Sequence, residues 1–466
     1  MDVRRRHQNA VRMTGGALQP ARLRRLLGQE RQRFAAGRPR SLAAHRQAGR
    51  HLLGGVPMPW MAKWAGGFPV YLAEAHGARV VDVDGHEYAD LCLGDTGAMA
   101  GHSPAATVTA VRERLEERGG ATVMLPTEDA ARVAGELARR FGLPAWQFTL
   151  TATDANRFAL RFCRQLTGRR RVLVFAWCYH GSVDETFVVL QDGRPRAREG
   201  LVGAAVDPTE TTAVVEFNDL AGLEAELERG DVACVLAEPA LTNIGIVLPE
   251  PGFWAGVRAA CTHTGTHLII DETHTLSAGP GGCTAAWGLQ PDLVTLGKSI
   301  GGGIPIGAYG VSGAIAERMA ADTEGDYEDA GGVGGTLAGN ALSLAAARAT
   351  LDEVLTDAAF VRMTALQERF TAGVRATIGR HDLPWCVVEL GARAEYRFAP
   401  EPPRSGAASA AVADPELEDY LHLALLNRGV LITPFHNMAL MSPATTEAEV
   451  DRHTEAFADA VAALVA

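Results

Sequence analysis

The chain changes character near Val80. From there, short and nearly continuous apolar runs alternate with longer stretches of helical periodicity. The runs at 171–176 (RVLVFA), 232–237 (VACVLA), 267–270 (HLII) and 293–296 (LVTL) are short and evenly apolar, which marks strands buried on both faces. Helical patterns lie between them, for example at 155–167 and 253–263. This rhythm predicts right-handed βαβ crossovers and an α/β fold: a mostly parallel central sheet with helices on both faces. The sheet region should end near Gly313. A Gly- and acid-rich stretch follows at 323–335 (TEGDYEDAGGVGG), which predicts an exposed loop, and then a long helix at about 340–355. The last hundred residues predict a smaller α+β domain, with strands at 385–390 and 395–398, a Pro/Ala/Ser-rich loop at 400–413 and a terminal helix from about Thr446.

Composition narrows the partners. A chain of 466 residues is too long for one small core, so two or three domains are expected. The net charge of −11 makes nucleic acid and anionic membranes poor partners. The seven cysteines are scattered, odd in number and form no C-x-x-C pair. That argues against a disulfide framework or a zinc site and for a reducing cytoplasm. No apolar run reaches the roughly 18 residues needed to span a bilayer. The basic start, Arg4 to Arg6 and His7, is not followed by an apolar signal core. The first fifty residues read as a polar leader plus a surface helix, with a disordered start as the alternative.

Three features fall in register with the strands. Asp271-Glu272 ends the HLII strand, and Lys298 ends the next strand, in LVTLGKSIGGG. Ligands of open α/β sheets bind outside the carboxyl ends of strands, so a carboxylate and a lysine on neighbouring strand ends face one crevice. The third feature is the turn 151–156 (TATDAN), between a strand at 147–150 and the next helix; small hydroxylated residues at a helix start offer free N–H groups to an anion. Taken singly, each has a bland reading: a solvated surface lysine, a solvated turn, a plain N-cap. Their order and strand context make the set informative. Together they meet the needs of pyridoxal phosphate: an amine for an imine, a carboxylate for the pyridine nitrogen, an anion cradle and flat or apolar walls.

With these motifs on the page, the chain resembles the class III pyridoxal-phosphate aminotransferases of fold type I, which include glutamate-1-semialdehyde 2,1-aminomutase and ω-aminotransferases. The resemblance runs from about Gly54 to Glu447. It implies that Asp271, in HLIIDETHT, binds the pyridine nitrogen and that Thr273 packs on one ring face. LVTLGKSIGGGIPIGAYG makes Lys298 the Schiff-base residue and proton shuttle. WCYHG (177–181) stacks Tyr179 on the other ring face with His180 beside it. Thr151, Ala152 and Thr153 form the phosphate turn, Glu238 of AEPALTNIGIVLPEPGF lies near the ring hydroxyl, and Thr336 of GGTLAGNALSLAAARATL reaches the phosphate of a neighbouring subunit. VVDVDGHEYADLCLGDTGAMAGHSP is similar to the family's early strands and active-site entrance. The chain then divides into an N-terminal segment at 1–79 contributing to the small domain and the entrance, a large cofactor-binding domain at 80–345, and a small α+β domain at 346–466.

Departures from the family bear on the substrate. Ala152 and Asp154 replace the usual Gly and Glu of the phosphate turn, and His274 occupies a variable position. In GGVPMPWMAKW (54–64), Met61 stands where the aminomutase has the arginine that grips its substrate's carboxylate. Met58, Trp60, Met61 and Trp64 make that wall apolar and aromatic. NMALMSP (437–443) lacks another arginine common in ω-aminotransferases. Arg393 or Arg397 could read a carboxylate bidentately in their place, or serve as a structural salt bridge. The resulting expectation is a homodimer with shared sites, binding no metal, that transfers an amino group from a hydrophobic or aromatic amine or amino acid to an oxo acid such as pyruvate. The alternatives are a 2,1-aminomutase or epimerase, and a non-catalytic cofactor-fold binding protein.

Overall fold

The computed structural model describes residues 19–327 and 331–466. The basic start and part of the 323–335 loop lie outside them. The central sheet has seven strands: β1 (Ala145–Thr149), β2 (Arg171–Phe175), β3 (Thr212–Val215), β4 (Val232–Ala237), β5 (His267–Asp271), β6 (Leu293–Leu296) and β7 (Gly307–Val311), in the spatial order β1-β7-β6-β5-β4-β2-β3. All of β4, β5 and β6 is buried, as their continuous apolar text requires. The strands β6, β5, β4, β2 and β3 are mutually parallel. β7 is antiparallel to both its neighbours. It follows β6 through a short turn that includes the 3₁₀ helix Lys298–Gly301, with no crossover helix long enough to bring the chain back in parallel. That turn is where the lysine sits.

Local chemistry explains the helix that matters most to the site. Ala152–Thr167 follows β1; the Thr151 hydroxyl oxygen caps it by accepting the Asp154 N–H at 3.2 Å. Seven of its residues are buried, and it packs beneath β4, β6 and β7.

From Pro20 onward, the N-terminal region is more integrated than a surface helix, while the leader expected before it lies outside the described residues. Two helices form, Pro20–Gly37 and Pro39–Ala48, each with proline in its first turn. Leu23, Leu27 and Phe34 are buried from one face of the first, which packs on the helix Pro415–Leu426. A Cβ on Gly66 would come within 2.3 Å of the Phe34 ring, so the chain there needs glycine. Strands Leu72–His76, Arg79–Asp82 and Glu87–Asp90 form one sheet with Val430–Leu431, which ties the start of the chain to its end. The expected 79/80 division falls inside one of these strands, and the 345/346 division inside the helix Ala341–Ala349.

A three-stranded sheet, Cys386–Leu390, Arg393–Arg397 and Met438–Leu440, stands near the helix Glu447–Val465, whose Thr446 and Glu449 form a capping box. The loop expected at 400–413 contains a short helix, Gly406–Ala411. Its alanines favour helix, and the Ser405 hydroxyl caps it by accepting the Ala408 N–H. Among the described residues, no helix is long and apolar enough to cross a membrane.

Phe34→Ala should lower unfolding stability by about 3–5 kcal/mol, as for other large aromatic deletions in a packed core. Urea denaturation followed by circular dichroism checks this. An unchanged midpoint would mean that the N-terminal helix contributes nothing to the core.

Candidate active site

Asp271 ends β5 with 4% of its surface exposed. Its Oδ2 accepts from Asn156 Nδ2 at 2.8 Å and pairs with His180 Nδ1 at 2.8 Å, while Oδ1 accepts the Thr273 N–H at 3.0 Å. Asn156 is held in turn: its Nδ2 also donates to the His180 carbonyl, and its Oδ1 accepts from the Thr295 hydroxyl at 2.6 Å. Burial alone would raise the Asp271 carboxyl, but the hydrogen bonds, led by His180, bring it down to about 2. Burial opposes the charge on His180 too, yet Cys178 and the bond to Asp271 raise that imidazole well above its ordinary range. The pair is therefore a buried ion pair.

Lys298 takes a left-handed conformation, φ +51°, directly after β6. Its Nζ donates to the Asp95 carbonyl at 3.1 Å and Asp95 Oδ2 at 3.2 Å, and meets His274 Nε2 at 2.7 Å. Burial would raise the Asp95 carboxyl, but the charge of Lys298 foremost, with that of Arg393 behind it, holds it far below the usual carboxylate range. Burial, followed by the charge of Lys298, keeps His274 well below the usual histidine range and hence neutral.

Asp271 and Lys298 line one cavity of about 330 Å³. Tyr179, His180 and Thr273 face it with them, as do Trp60 and the turn 151–153. The Trp60 and Tyr179 rings lie 5.2 Å apart and make an aromatic wall. The Ala152 φ is negative, so its N–H stands with that of Thr153 at the helix start, ahead of the first intrahelical bonds. Gly181 keeps this turn accessible: at φ +80°, a Cβ there would lie 2.1 Å from Thr153 Oγ1.

The other expected site residues lie outside the cavity lining. Glu238 is buried behind Tyr179, its Oε1 accepting the Tyr179 N–H and its Oε2 bonded to Thr242; burial raises its carboxyl. Thr336 is exposed. Met58 and Met61 are 39% and 46% exposed. Arg397 pairs with Glu395 in its own strand and donates to the Ser409 carbonyl. Arg393 is fully buried, donating to Ser277 Oγ at 2.9 Å, Met438 Sδ at 3.2 Å and Thr96 Oγ1 at 2.6 Å. Asn156, Asp95 and Thr96 were not singled out from sequence. Asn156 follows Ala152 by one helical turn and could have been found by that spacing; Asp95 and Thr96 carry no such local signal.

The groups present suit pyridoxal phosphate. Oδ1 of Asp271 has room for one more donor, the Thr273 hydroxyl is buried without a partner, and the 151–153 turn offers backbone N–H groups to an anion. The family Aminotransferase class-III matches residues 60–461, and the chain belongs to it: a pyridoxal-phosphate enzyme of fold type I. Among relatives, it is 36% identical to a glutamate-1-semialdehyde 2,1-aminomutase of Sorangium cellulosum, over 91% of this chain and 97% of that one. Among structures, it resembles a glutamate-1-semialdehyde aminomutase of Pseudomonas aeruginosa PAO1 in complex with PMP, at 49% identity and a TM-score of 0.93, covering 96% of this chain and 100% of that one. It also resembles an omega-transaminase from Sphaerobacter thermophilus, at 29% identity and a TM-score of 0.82, covering 91% and 97%.

Two outcomes test this geometry. Gly181→Ala should weaken capture of added pyridoxal phosphate roughly 5–150-fold, since the left-handed strain and the contact with Thr153 together cost on the order of 1–3 kcal/mol; an absorbance titration measures it. Because the folded Asp271 carboxyl is depressed, its contribution to stability is present above the unfolded value near pH 4 and is lost as pH falls towards 2. Asp271→Asn should therefore flatten the acid limb of stability over that interval, read by thermal melts at each pH.

Proposed function

We propose that this chain moves an amino group within a single substrate, as a 2,1-aminomutase does, with Lys298 carrying the cofactor and moving the proton. The observation that carries the amino-group chemistry is the placing of Lys298 and Asp271 on adjacent strand ends of one cavity. The names of the relatives weigh towards the mutase over the intermolecular transfer expected from sequence. When bound, pyridoxal phosphate supplies an electron sink for the carbon bearing the amine. Asp271 holds positive charge at the ring nitrogen. The 151–153 turn binds the phosphate. Tyr179 and Thr273 cover the two ring faces, and Glu238 supports the Tyr179 backbone. Lys298 Nζ takes a proton from the substrate carbon and returns it at the neighbouring position, as base and then acid. Thr336 is exposed on its own chain and serves the phosphate site of a neighbouring subunit in a homodimer.

A second reading has its own support. No arginine lines the cavity among the described residues, and Trp60 and Tyr179 form its wall. That favours intermolecular transfer from a hydrophobic or aromatic amine to an oxo acid such as pyruvate.

Incubation with glutamate-1-semialdehyde separates the two. Mutase action converts it to 5-amino-4-oxopentanoate with no free oxo by-product in stoichiometric amount. Transfer instead yields alanine from pyruvate together with the oxo form of an added amine. Lys298→Ala should lower either rate by roughly 10²–10⁴-fold, the usual contribution of a positioned acid–base group. Activity unchanged in that variant would sink both readings.

A further inference from the structure

The Lys298 ammonium is held as a ligand would be. A primary ammonium has three N–H donors, and three acceptors surround this one: the Asp95 carbonyl, Asp95 Oδ2 and His274 Nε2, at 2.7–3.2 Å. The acceptors are braced from behind. His274 Nδ1 meets Thr96 Oγ1 at 3.0 Å, and Thr96 Oγ1 accepts from Arg393. With the ring neutral and Nε2 accepting, Nδ1 carries the proton and donates to Thr96. The segment that presents Asp95 is strained: Leu93, Gly94, Asp95 and Thr96 have successive φ values of +45°, +59°, +50° and +81°. Three non-glycine residues among four successive positions in the left-handed region, one of them β-branched, mark a turn held in place by its surroundings.

We propose that Asp95 and His274 form a receptor for a primary ammonium of the substrate, the place that the ammonium of Lys298 takes in this structure. This rests on amino-group chemistry at Lys298. A nitrogen bonded to the cofactor no longer offers three N–H donors, so His274, which lines the cavity, and Asp95 beside it are then left with unmatched acceptors. An unpaired, largely buried carboxylate is costly, and an ammonium restores the balance. Arg393 does not compete for it, since its guanidinium is engaged with Ser277, Met438 and Thr96, but its charge helps to keep Asp95 ionised. With no arginine in the cavity lining among the described residues, the site selects its substrate by an ammonium group rather than by a carboxylate.

The test begins with Lys298→Ala, which removes the resident ammonium. Propylammonium chloride is the calorimetric probe, with tetramethylammonium as a cation that lacks N–H donors. Propylammonium should bind at least about tenfold more tightly to Lys298→Ala than to Lys298→Ala/Asp95→Asn, the scale of one charge-assisted hydrogen bond. Lys298→Ala/His274→Leu should lose binding in the same direction, which guards against misfolding of the first double variant. Equal affinities across the three proteins, or equal binding of tetramethylammonium, would overturn the receptor. In the cofactor-loaded native protein, Asp95→Asn should raise the half-saturating concentration of primary amines at least about tenfold by the same scale, read from the cofactor's visible absorbance. If no amine changes that absorbance even in the native protein, the amino-transfer reading falls, and the calorimetry still decides the receptor.

Discussion

The Asp271 carboxylate has to stay charged inside a sheet that excludes water. Removing an ion from water costs several kcal/mol unless it is paired and hydrogen-bonded. Three donors meet that cost, from Asn156, His180 and the Thr273 backbone. Much of the local architecture serves those donors. The helix Ala152–Thr167 must be buried so that Asn156 reaches Asp271, and the segment after β2 must turn inward so that His180 does. β6 must lie beside β5 so that Thr295 can fix the Asn156 amide. One helix thereby serves both ends of the cavity: its first turn presents free N–H groups, and its second braces Asp271 through Asn156.

Topology supplies the second constraint. Because β5 and β6 are parallel neighbours, their carboxyl ends open on the same side, and the residues that follow them meet without long loops. The antiparallel return of β7 closes the turn that carries Lys298, and the left-handed φ of Lys298 aims its side chain back across the strand ends. The lysine is reached from the other side by the turn 93–96, which comes from the sheet shared by the N- and C-terminal parts of the chain. Packing of that sheet therefore bears on where Asp95 stands.

The strands and the Asp271–Lys298 pair were legible in sequence because each depends on a local signal: an even apolar run, followed by a polar residue at its carboxyl end. The 151–153 turn was legible for the same reason. The partners of Lys298 were not. Asp95 is 203 residues away and His274 24 residues away, and neither shows a spacing that distinguishes it from a turn residue. Arg393 shows the same limit from the other direction. The sequence left it open as either a reader of carboxylates or a structural residue, and only the tertiary structure shows that its donors are already used behind the wall. The short helix Gly406–Ala411 was hidden by the prolines before it, although its serine cap and alanines favour a helix.

Arg393 also bears on what the cavity favours. Among the described residues, no carboxylate within ion-pair distance matches this fully buried guanidinium; burial lowers its preference for charge, against the field of Asp95, Glu238 and Glu395. A cation so placed acts at a distance: behind Lys298, the foremost cause, it helps Asp95 remain an anion although that carboxylate is largely removed from water. Had the arginine reached the cavity, the same charge would have drawn substrate carboxylates. Drawn back behind Thr96, with Met61 exposed and Trp60 on the wall, it leaves Asp95 and His274 as acceptors beside an aromatic surface. The positive end of the network is buried in the protein and an accepting end, His274, lines the cavity, so the polarity expected from a carboxylate-gripping arginine is reversed.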